Sequence, residues 1–421
     1  MGESTSSRCL MYVASPITSQ SYINEVRARL SNVFEEYGFK RQFLVMRVEE
    51  IPPDIYYCGS LVIVVTSGGT ERLILEASRR LPRVNILVVA LPYANSLPAV
   101  LEAAPLLGTR RATLYLPCID CDEAKRRLRE GLTALKVAEQ LTTTRLGIIG
   151  GPAPWLVYSW VDPTLVRDAL GIEAVHIDLA ILYQAYLESD SDDKLLEKVV
   201  RSAESVEVPG EDLAKTIRLY KALKRIIAEY KLDAITLKCF DVIEKLGITP
   251  CLAMSLLNSE GIVAGCEGDL LSVTAMMILS WVSGGPVFMG NPSMIEGNRI
   301  MISHCSAPLA MAGRGYSILS HFETGRPAGI AVYFQEGLKA TLLKLRDDVR
   351  EMRIIVGRIV SGRPERTMQC RSQLWIELPV DPEDLILENS MGNHYVVAYG
   401  DHSRGLRILA RLLGIRSAIY K

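Results

Sequence analysis

The feature that most constrains the fold is a regular alternation of apolar and amphipathic segments in the first third of the chain. Short apolar runs at residues 61–66, 85–91 and 112–117 alternate with stretches of helical periodicity such as residues 22–37. Strands that are apolar on both faces are typical of a parallel sheet covered by helices on each side. The pattern therefore predicts a Rossmann-like, doubly wound α/β unit that ends with the charged helix at residues 122–141.

The alternation starts again after this helix and then gives way to another pattern. Strand-like runs at 146–149, 174–179 and 234–238 predict a second α/β unit. From about residue 286 helical patterns become sparse, and β-type segments follow one another between turn residues. We therefore predict an α/β protein with domains at residues 1–141 and 142–285, followed by a β-rich, mostly antiparallel domain at 286–421.

The charge balance excludes several classes of function. The 421 residues carry 47 basic and 48 acidic side chains, with no basic stripe interleaved with aromatic residues. We therefore expect a small-molecule ligand and neither nucleic acid nor an anionic membrane as partner. The first residues lack the pattern of a secretion signal, and the longest apolar run is too short to cross a bilayer, so the sequence favours a cytoplasmic protein.

The nine cysteines favour buried reduced thiols over a disulfide framework, because most of them lie inside apolar segments. The clearest cases are Cys239, Cys251, Cys266 and Cys305. Cys118 and Cys121 form a CxxC pair, but no second pair of zinc ligands lies nearby in the sequence. We interpret this pair as structural or incidental, with a local disulfide as the alternative in a thermophilic protein.

Four of the five histidines stand at or after residue 304, each beside small or polar residues. They are His304, His321, His394 and His402, whereas His176 lies inside a strand-like run and is interpreted as structural. Histidine is the commonest ligand of transition metals, and carboxylates complete such sites. His402 follows Asp401 and either supports another histidine or opens the last helix.

Matching carboxylates stand in the segment Gly265-Cys266-Glu267-Gly268-Asp269, between a short apolar strand and an apolar helix. Acids at the carboxyl end of a strand lie where α/β proteins bind ligands. The same residues also fit a helix N-cap at Asp269 and a helix-dipole partner at Glu267. The residue types alone leave both interpretations open.

Several segments of this half resemble the catalytic stretch of the L-fucose isomerase and L-arabinose isomerase superfamily. The motifs are Thr236-Leu237-Lys238-Cys239-Phe240, Pro250-Cys251-Leu252-Ala253, Gly265-Cys266-Glu267-Gly268-Asp269-Leu270, Gly285-Pro286-Val287-Phe288-Met289-Gly290-Asn291, the stretch from Asn298 to Pro308, Gly392-Asn393-His394-Tyr395 and Tyr399-Gly400-Asp401. The chain resembles the fucose isomerase-related proteins more than the characterised isomerases.

The resemblance implies a metal-dependent aldose–ketose isomerase. Such an enzyme moves a proton between C1 and C2 of a sugar through a cis-enediol, with Mn²⁺ or another divalent cation as its cofactor. Position by position, the resemblance implies that Glu267 is a metal ligand and the base, and that His304 and His394 are metal ligands. It also implies a homo-oligomer, a trimer or hexamer, in which a neighbour's N-terminal unit closes the pocket.

The chain departs from the superfamily where the second metal-binding acid is expected, because it reads Gly290-Asn291 there. Asn291 offers an amide oxygen to a metal but cannot accept a proton at neutral pH. Asp269 is therefore a candidate second catalytic carboxylate, with a water as the alternative. The departure also leaves open a carbohydrate-binding or regulatory protein with a degenerate site, or another metal-assisted sugar enzyme.

Three further residues are candidate substrate contacts. His321 and Arg314 lie in polar surroundings before an apolar β run, where they could reach sugar hydroxyls. Trp155 follows the turn Gly150-Gly151-Pro152-Ala153-Pro154 and could stack on a sugar face. A packing role fits His321 and Trp155 as well.

Overall fold

The structure is a computed structural model that describes residues 7–364 and 368–421. The contacts within it group the chain into two compact units. One unit consists of the described residues up to Gln140 together with Arg404–Arg416, and the other of Leu141–Ser403 together with Ser417–Lys421. The predicted boundaries near residues 141 and 285 stay predictions.

The first unit contains a five-stranded parallel sheet with the strand order β2-β1-β3-β4-β5. Its elements are β1 (Ser7–Val13), α1 (Gln20–Glu36), β2 (Arg41–Val45), β3 (Cys58–Val65), α2 (Glu71–Arg80), β4 (Asn85–Ala90), α3 (Ser96–Ala103), β5 (Arg111–Tyr115) and α4 (Asp122–Leu141), and a C-terminal helix follows at Ser403–Leu413. Every residue of β4 is buried, as expected for a strand covered on both faces.

Two disulfides lie in the first unit. The prediction of reduced thiols is wrong for Cys9 and Cys58, which join the neighbouring strands β1 and β3 through a buried disulfide. The pairing of β1 with β3 places Cys58 opposite Ser7, so the Cα atoms of Cys9 and Cys58 lie 5.7 Å apart. Because 49 residues separate the two cysteines along the chain, their spacing gave no signal. The CxxC pair, Cys118 and Cys121, also forms a disulfide.

The remaining five cysteines are free thiols, and four of them are buried. The prediction of buried reduced thiols is confirmed for Cys239, Cys251, Cys266 and Cys305. All four belong to the second unit.

The second unit begins with a four-stranded parallel sheet with the order β10-β9-β6-β7. The elements up to this point are β6 (Arg145–Ile149), α5 (Pro163–Leu170), β7 (Glu173–Ile177), α6 (Leu179–Leu187), α7 (Asp193–Ser202), β8 (Ser205–Val206), α8 (Gly210–Tyr230), β9 (Ala234–Leu237), α9 (Cys239–Leu246), α10 (Cys251–Ser259), β10 (Val263–Cys266) and α11 (Leu270–Ser283).

The rest of the second unit is β-rich. Its strands are β11 (Phe288–Glu296), β12 (Arg299–His304), β13 (Tyr316–Ser320), β14 (Pro327–Val332), β15 (Lys339–Leu345), β16 (Glu351–Ser361), β17 (Ser372–Glu377), β18 (Tyr395–Tyr399) and β19 (Arg416–Tyr420). Six of them form an antiparallel barrel in the order β15-β18-β11-β12-β17-β16, because β16 also pairs with β15 and closes the sheet. Strands β13 and β14 form a smaller sheet with β8.

Helix α11 connects the two parts of this unit. It packs against β9 and β10 of the parallel sheet and against β15 and β18 of the barrel. Its residues from Leu270 to Leu279 are all buried, since the helix is apolar on every side and has sheets to cover it. The helix therefore holds the end of the parallel sheet against the barrel.

The predicted α/β class, with parallel sheets followed by an antiparallel β-rich region, is confirmed. In the part of the chain that the structure describes, no helix is both long and apolar enough to span a bilayer.

Candidate metal centre

Three loops of the second unit meet at the carboxyl edge of its parallel sheet. They follow β6, β9 and β10, which are neighbours in the sheet, and they begin at Gly150, Lys238 and Glu267. The chain runs from β6 to β7 on one side of the sheet and later crosses back to β9 on the other side of β6. The direction in which strands are added therefore reverses between β6 and β9. Open α/β sheets bind ligands at such a point.

Glu267 begins the loop after β10 in an unusual backbone conformation. Its φ is +66°, and Gly268 follows with φ +69°. The left-handed region costs a residue with a side chain about 1–2 kcal/mol, and such strain concentrates at functional sites. The turn directs the side chain of Glu267 into the second unit, where it is 8 % exposed.

Two histidines from the barrel face the carboxylate of Glu267. His304 ends β12 and His394 directly precedes β18. The Oε1 atom of Glu267 lies 3.8 Å from Nε2 of His304 and 3.6 Å from Nε2 of His394. One ligand atom of each residue lies within 4.8 Å of the other two, so the structure brings three of the four predicted metal ligands together.

Each histidine is held through its other ring nitrogen. Nδ1 of His394 lies 2.8 Å from Oδ2 of Asp269, and Nδ1 of His304 lies 3.0 Å from the hydroxyl of Ser306. When both Nδ1 atoms donate these hydrogen bonds, the Nε2 lone pairs point toward Glu267. A carboxylate behind a histidine is the arrangement that orients metal-binding imidazoles.

Asp269 also caps α11. Its Oδ1 accepts the backbone N–H of Ser272 at 2.8 Å, and its Oδ2 accepts the hydroxyl of Ser272 at 2.7 Å in addition to His394. The side chain is fully buried. The geometry gives Asp269 both the N-cap role and a role in orienting His394, whereas its predicted catalytic role stays a prediction.

Two buried polar atoms at these strands have no hydrogen-bond partner among the described residues: Nε2 of His394 and Oδ1 of Asn291. Asn291 lies on β11, where it pairs with Ser303, the residue before His304, and Gly290 pairs with Tyr395, the residue after His394. A buried polar atom without a hydrogen-bond partner is costly. Two imidazoles and a carboxylate suit a transition-metal ion, so Glu267, His304 and His394 fit a divalent cation. The predicted metal-ligand role of Asn291 stays a prediction.

The protonation states of Glu267, His304 and His394 also fit a cation site. Burial raises the pKa of Glu267, but the hydrogen-bonding capacity and charge of His304 and His394 outweigh it and hold that pKa well below the usual range. Burial lowers the pKa of His304, yet the charges of Cys266 and Glu267 raise it to about 9. Without a cation the carboxylate therefore keeps protons on the imidazoles, and a divalent cation would displace them.

An aromatic row extends from Glu267. The indole Nε1–H of Trp155 donates a hydrogen bond to Oε2 of Glu267 at 2.7 Å. The ring of Phe240 meets Trp155 edge-on with centroids 4.9 Å apart, and the His321 ring lies 6.1 Å beyond Phe240. Trp155 and His321, two of the three predicted substrate contacts, thus lie in one row that starts at Glu267.

Other predicted residues lie apart from this row. Arg314 is 61 % exposed and pairs with Glu336 at 3.7 Å, and its contact with substrate stays a prediction. His402 donates from Nε2 to the backbone carbonyl of Tyr399 at 2.7 Å. This hydrogen bond stabilises the turn between β18 and the last helix.

Sequence reasoning missed Ser306, Phe240 and Lys344 as members of the site. Ser306 stands two residues after His304, and that short spacing was an available signal. Lys344 is buried and donates to the backbone carbonyl of His394 at 2.8 Å. Its contact joins β15 to the residue before β18, which only the barrel brings together.

No family model matches the chain. The chain is similar to proteins named sulfoquinovose isomerase. It is 24 % identical over 307 residues to that of Priestia aryabhattai, covering 70 % of this chain and 68 % of the relative. It is 25 % identical over 312 residues to that of Alkalicoccus urumqiensis, covering 70 % and 69 %. It is 23 % identical over 362 residues to that of Clostridium sp. (strain MSTE9), covering 80 % and 77 %.

Proposed function

We propose that this protein is a metal-dependent aldose–ketose isomerase. The observation that carries the proposal is the convergence of Glu267, His304 and His394, with Asp269 behind His394. The similarity to sulfoquinovose isomerases supports a sugar as substrate and isomerisation as the reaction. A sugar of that kind, with an anionic group remote from the reacting carbons, is the substrate class to test first.

Glu267, His304 and His394 would hold the divalent cation, with the amide oxygen of Asn291 as a fourth donor. A bound cation of this kind supplies Lewis acidity, which favours negative charge on the sugar oxygens. Asp269 and Ser306 keep the two imidazoles in the tautomer whose Nε2 lone pair is free.

We assign the carbon-to-carbon proton transfer to Glu267. Its carboxylate takes the proton from C2, the C2–H electron pair forms the C1=C2 bond, and the C1=O π pair moves to O1, which takes a proton from water. The O2–H proton then passes to water, C2=O forms as the C1=C2 pair moves to C1, and the same carboxylate gives its proton to C1. One carboxylate on one face of a cis-enediol completes this transfer, so the absence of an acid at Gly290-Asn291 does not prevent it.

An exchange experiment tests the proposal. The purified protein, stripped with chelator and reloaded with Mn²⁺, is incubated in D₂O with a panel of aldoses that includes sulfoquinovose. We expect deuterium at C2 and the appearance of the ketose, both abolished by Glu267→Gln. Glu296→Gln, an exposed carboxylate in the β11–β12 hairpin, is the matched control and is expected to behave as wild type.

Two results would contradict the proposal. Exchange that persists in Glu267→Gln removes this residue as the base. Sugar-dependent thermal stabilisation with neither exchange nor ketose formation for any aldose indicates a carbohydrate-binding protein with a degenerate site. The expected homo-oligomer, a trimer or hexamer, is tested separately by light scattering on the eluting protein.

A further inference from the structure

The segment between β6 and Trp155 lies directly on the turn that carries Glu267. The backbone N–H of Ala153 donates to the carbonyl of Glu267 at 2.7 Å. A Cβ added to Gly268 would come within 2.1 Å of the carbonyl oxygen of Gly151, so only glycine permits this approach. The segment therefore holds the strained backbone of Glu267 from outside the metal cluster.

The side chain of Trp155 adds a second point of attachment. Its Nε1–H donates to Oε2 of Glu267, while Oε1 of the same carboxylate faces the two imidazoles. An indole N–H is a donor only and cannot bind a cation. The two oxygens of the carboxylate thus have different partners. Oε2 is held by Trp155, and Oε1 faces His304 and His394.

Packing keeps the indole in place although Trp155 is 47 % exposed. The edge of Phe240 meets the indole at an interplanar angle of 85°, the favoured geometry for an aromatic pair. Phe240 follows β9, the strand beside β10, so its position relative to Glu267 is set by the parallel sheet.

We propose that Trp155 is a positioning residue that sets the carboxylate of Glu267 for divalent-cation binding. The inference rests on the proposed metal site but does not require that the site isomerise a sugar. A charge-assisted hydrogen bond to a metal ligand is worth roughly 10–100-fold in metal affinity. Losing the indole N–H is expected to reduce the affinity by that factor.

The test uses Mn²⁺ as the probe and the whole 421-residue chain. Trp155→Phe keeps an aromatic ring against Phe240 and removes only the donor. Trp160→Phe is the matched control, because Trp160 lies on the same loop and is 60 % exposed. The dissociation constant is read from the electron paramagnetic resonance signal of free Mn²⁺, and thermal unfolding checks that each variant is folded.

We expect Trp155→Phe to bind Mn²⁺ roughly 10–100-fold more weakly, with Trp160→Phe within about twofold of wild type. Paramagnetic quenching of tryptophan fluorescence tests separately whether Trp155 is the tryptophan beside the bound ion. The chain has four tryptophans, and the quenching caused by Mn²⁺ is expected to persist in Trp160→Phe and to be largely lost in Trp155→Phe. Phe240→Leu, which loosens the indole but keeps its N–H, is expected to weaken binding by a smaller factor.

Wild-type affinity in a folded Trp155→Phe variant overturns the inference, and so does an equal loss in Trp160→Phe. Wild-type protein that binds Mn²⁺ but exchanges no sugar proton contradicts the proposed function and leaves this inference standing. Wild-type protein that binds no Mn²⁺ overturns both.

Discussion

Replacing Asp269 with asparagine tests how the cluster is oriented. The carboxylate accepts three hydrogen bonds while fully buried: from Nδ1 of His394, from the hydroxyl of Ser272 and from the backbone N–H of Ser272. Asparagine has one acceptor oxygen and an NH₂ group in place of the second oxygen. If the amide oxygen keeps the helix cap, the NH₂ group faces Nδ1 of His394.

That exchange reverses the tautomer of His394. Nδ1 becomes an acceptor, the proton moves to Nε2, and an N–H then occupies the direction of the lone pair that faces Glu267. Disturbing the group behind a metal-binding histidine costs roughly 10–100-fold in metal affinity, which is about 1.4–2.7 kcal/mol. Loss of a buried hydrogen bond to a charged group also lowers the free energy of unfolding by about 2 kcal/mol.

Isothermal titration with Mn²⁺ measures the change in metal affinity, and urea denaturation without metal measures the change in the free energy of unfolding. Asp178→Asn is the matched control, because Asp178 also caps a helix, α6, by accepting a backbone N–H, that of Ala180 at 2.7 Å, but is exposed. Asparagine caps helices as well as aspartate, so this control is expected to change neither quantity. Asp269→Asn with wild-type affinity and stability would refute the orienting role.

Three further predictions concern other groups. Burial lowers the pKa of Lys344 to about 8, from the 10.5 of an exposed lysine. The native state then loses this proton at lower pH than the unfolded state, so the free energy of unfolding rises between about pH 8 and pH 10.5, by up to about 3 kcal/mol. Lys344→Met is expected to remove that rise in urea denaturation at several pH values. Ser306→Ala removes the hydroxyl that contacts Nδ1 of His304 and is expected to weaken Mn²⁺ binding about tenfold in titration calorimetry. An unchanged Kd would contradict this prediction. The Cys9–Cys58 disulfide closes a loop of 49 residues and is expected to contribute about 4 kcal/mol, so Cys58→Ser that unfolds at the wild-type temperature under non-reducing conditions would disprove it.

The strands and helices were predictable because each follows from the pattern of apolar and polar residues within its own short segment. Apolar runs at 61–66 and 85–91 match β3 and β4 to within a few residues, and the helix at residues 122–141 coincides with α4. Burial on both faces favours apolar residues at most positions of such strands. The sequence did not predict that six strands close into a barrel, because closure depends on the pairing of β15 with β16 and β18 rather than on any one segment.

Part of the site was also within reach of sequence reasoning. Glu267 stands after an apolar strand, and His304 and His394 stand beside small residues, so chemistry and resemblance together marked them. Trp155 was marked for a different role, as a platform for sugar. Its hydrogen bond to a carboxylate 112 positions away left no trace in the local pattern.

By itself, the sequence determined which residues have metal-binding chemistry and which segments become parallel strands, because residue type and local periodicity fix both. Only the tertiary structure decided which atoms face one another. The order of β6, β9 and β10 brings Trp155 and Phe240 to Glu267, and the barrel brings His304 and His394 to the same carboxylate. These contacts depend on long-range strand pairing, and no residue type encodes its partner across such distances along the chain.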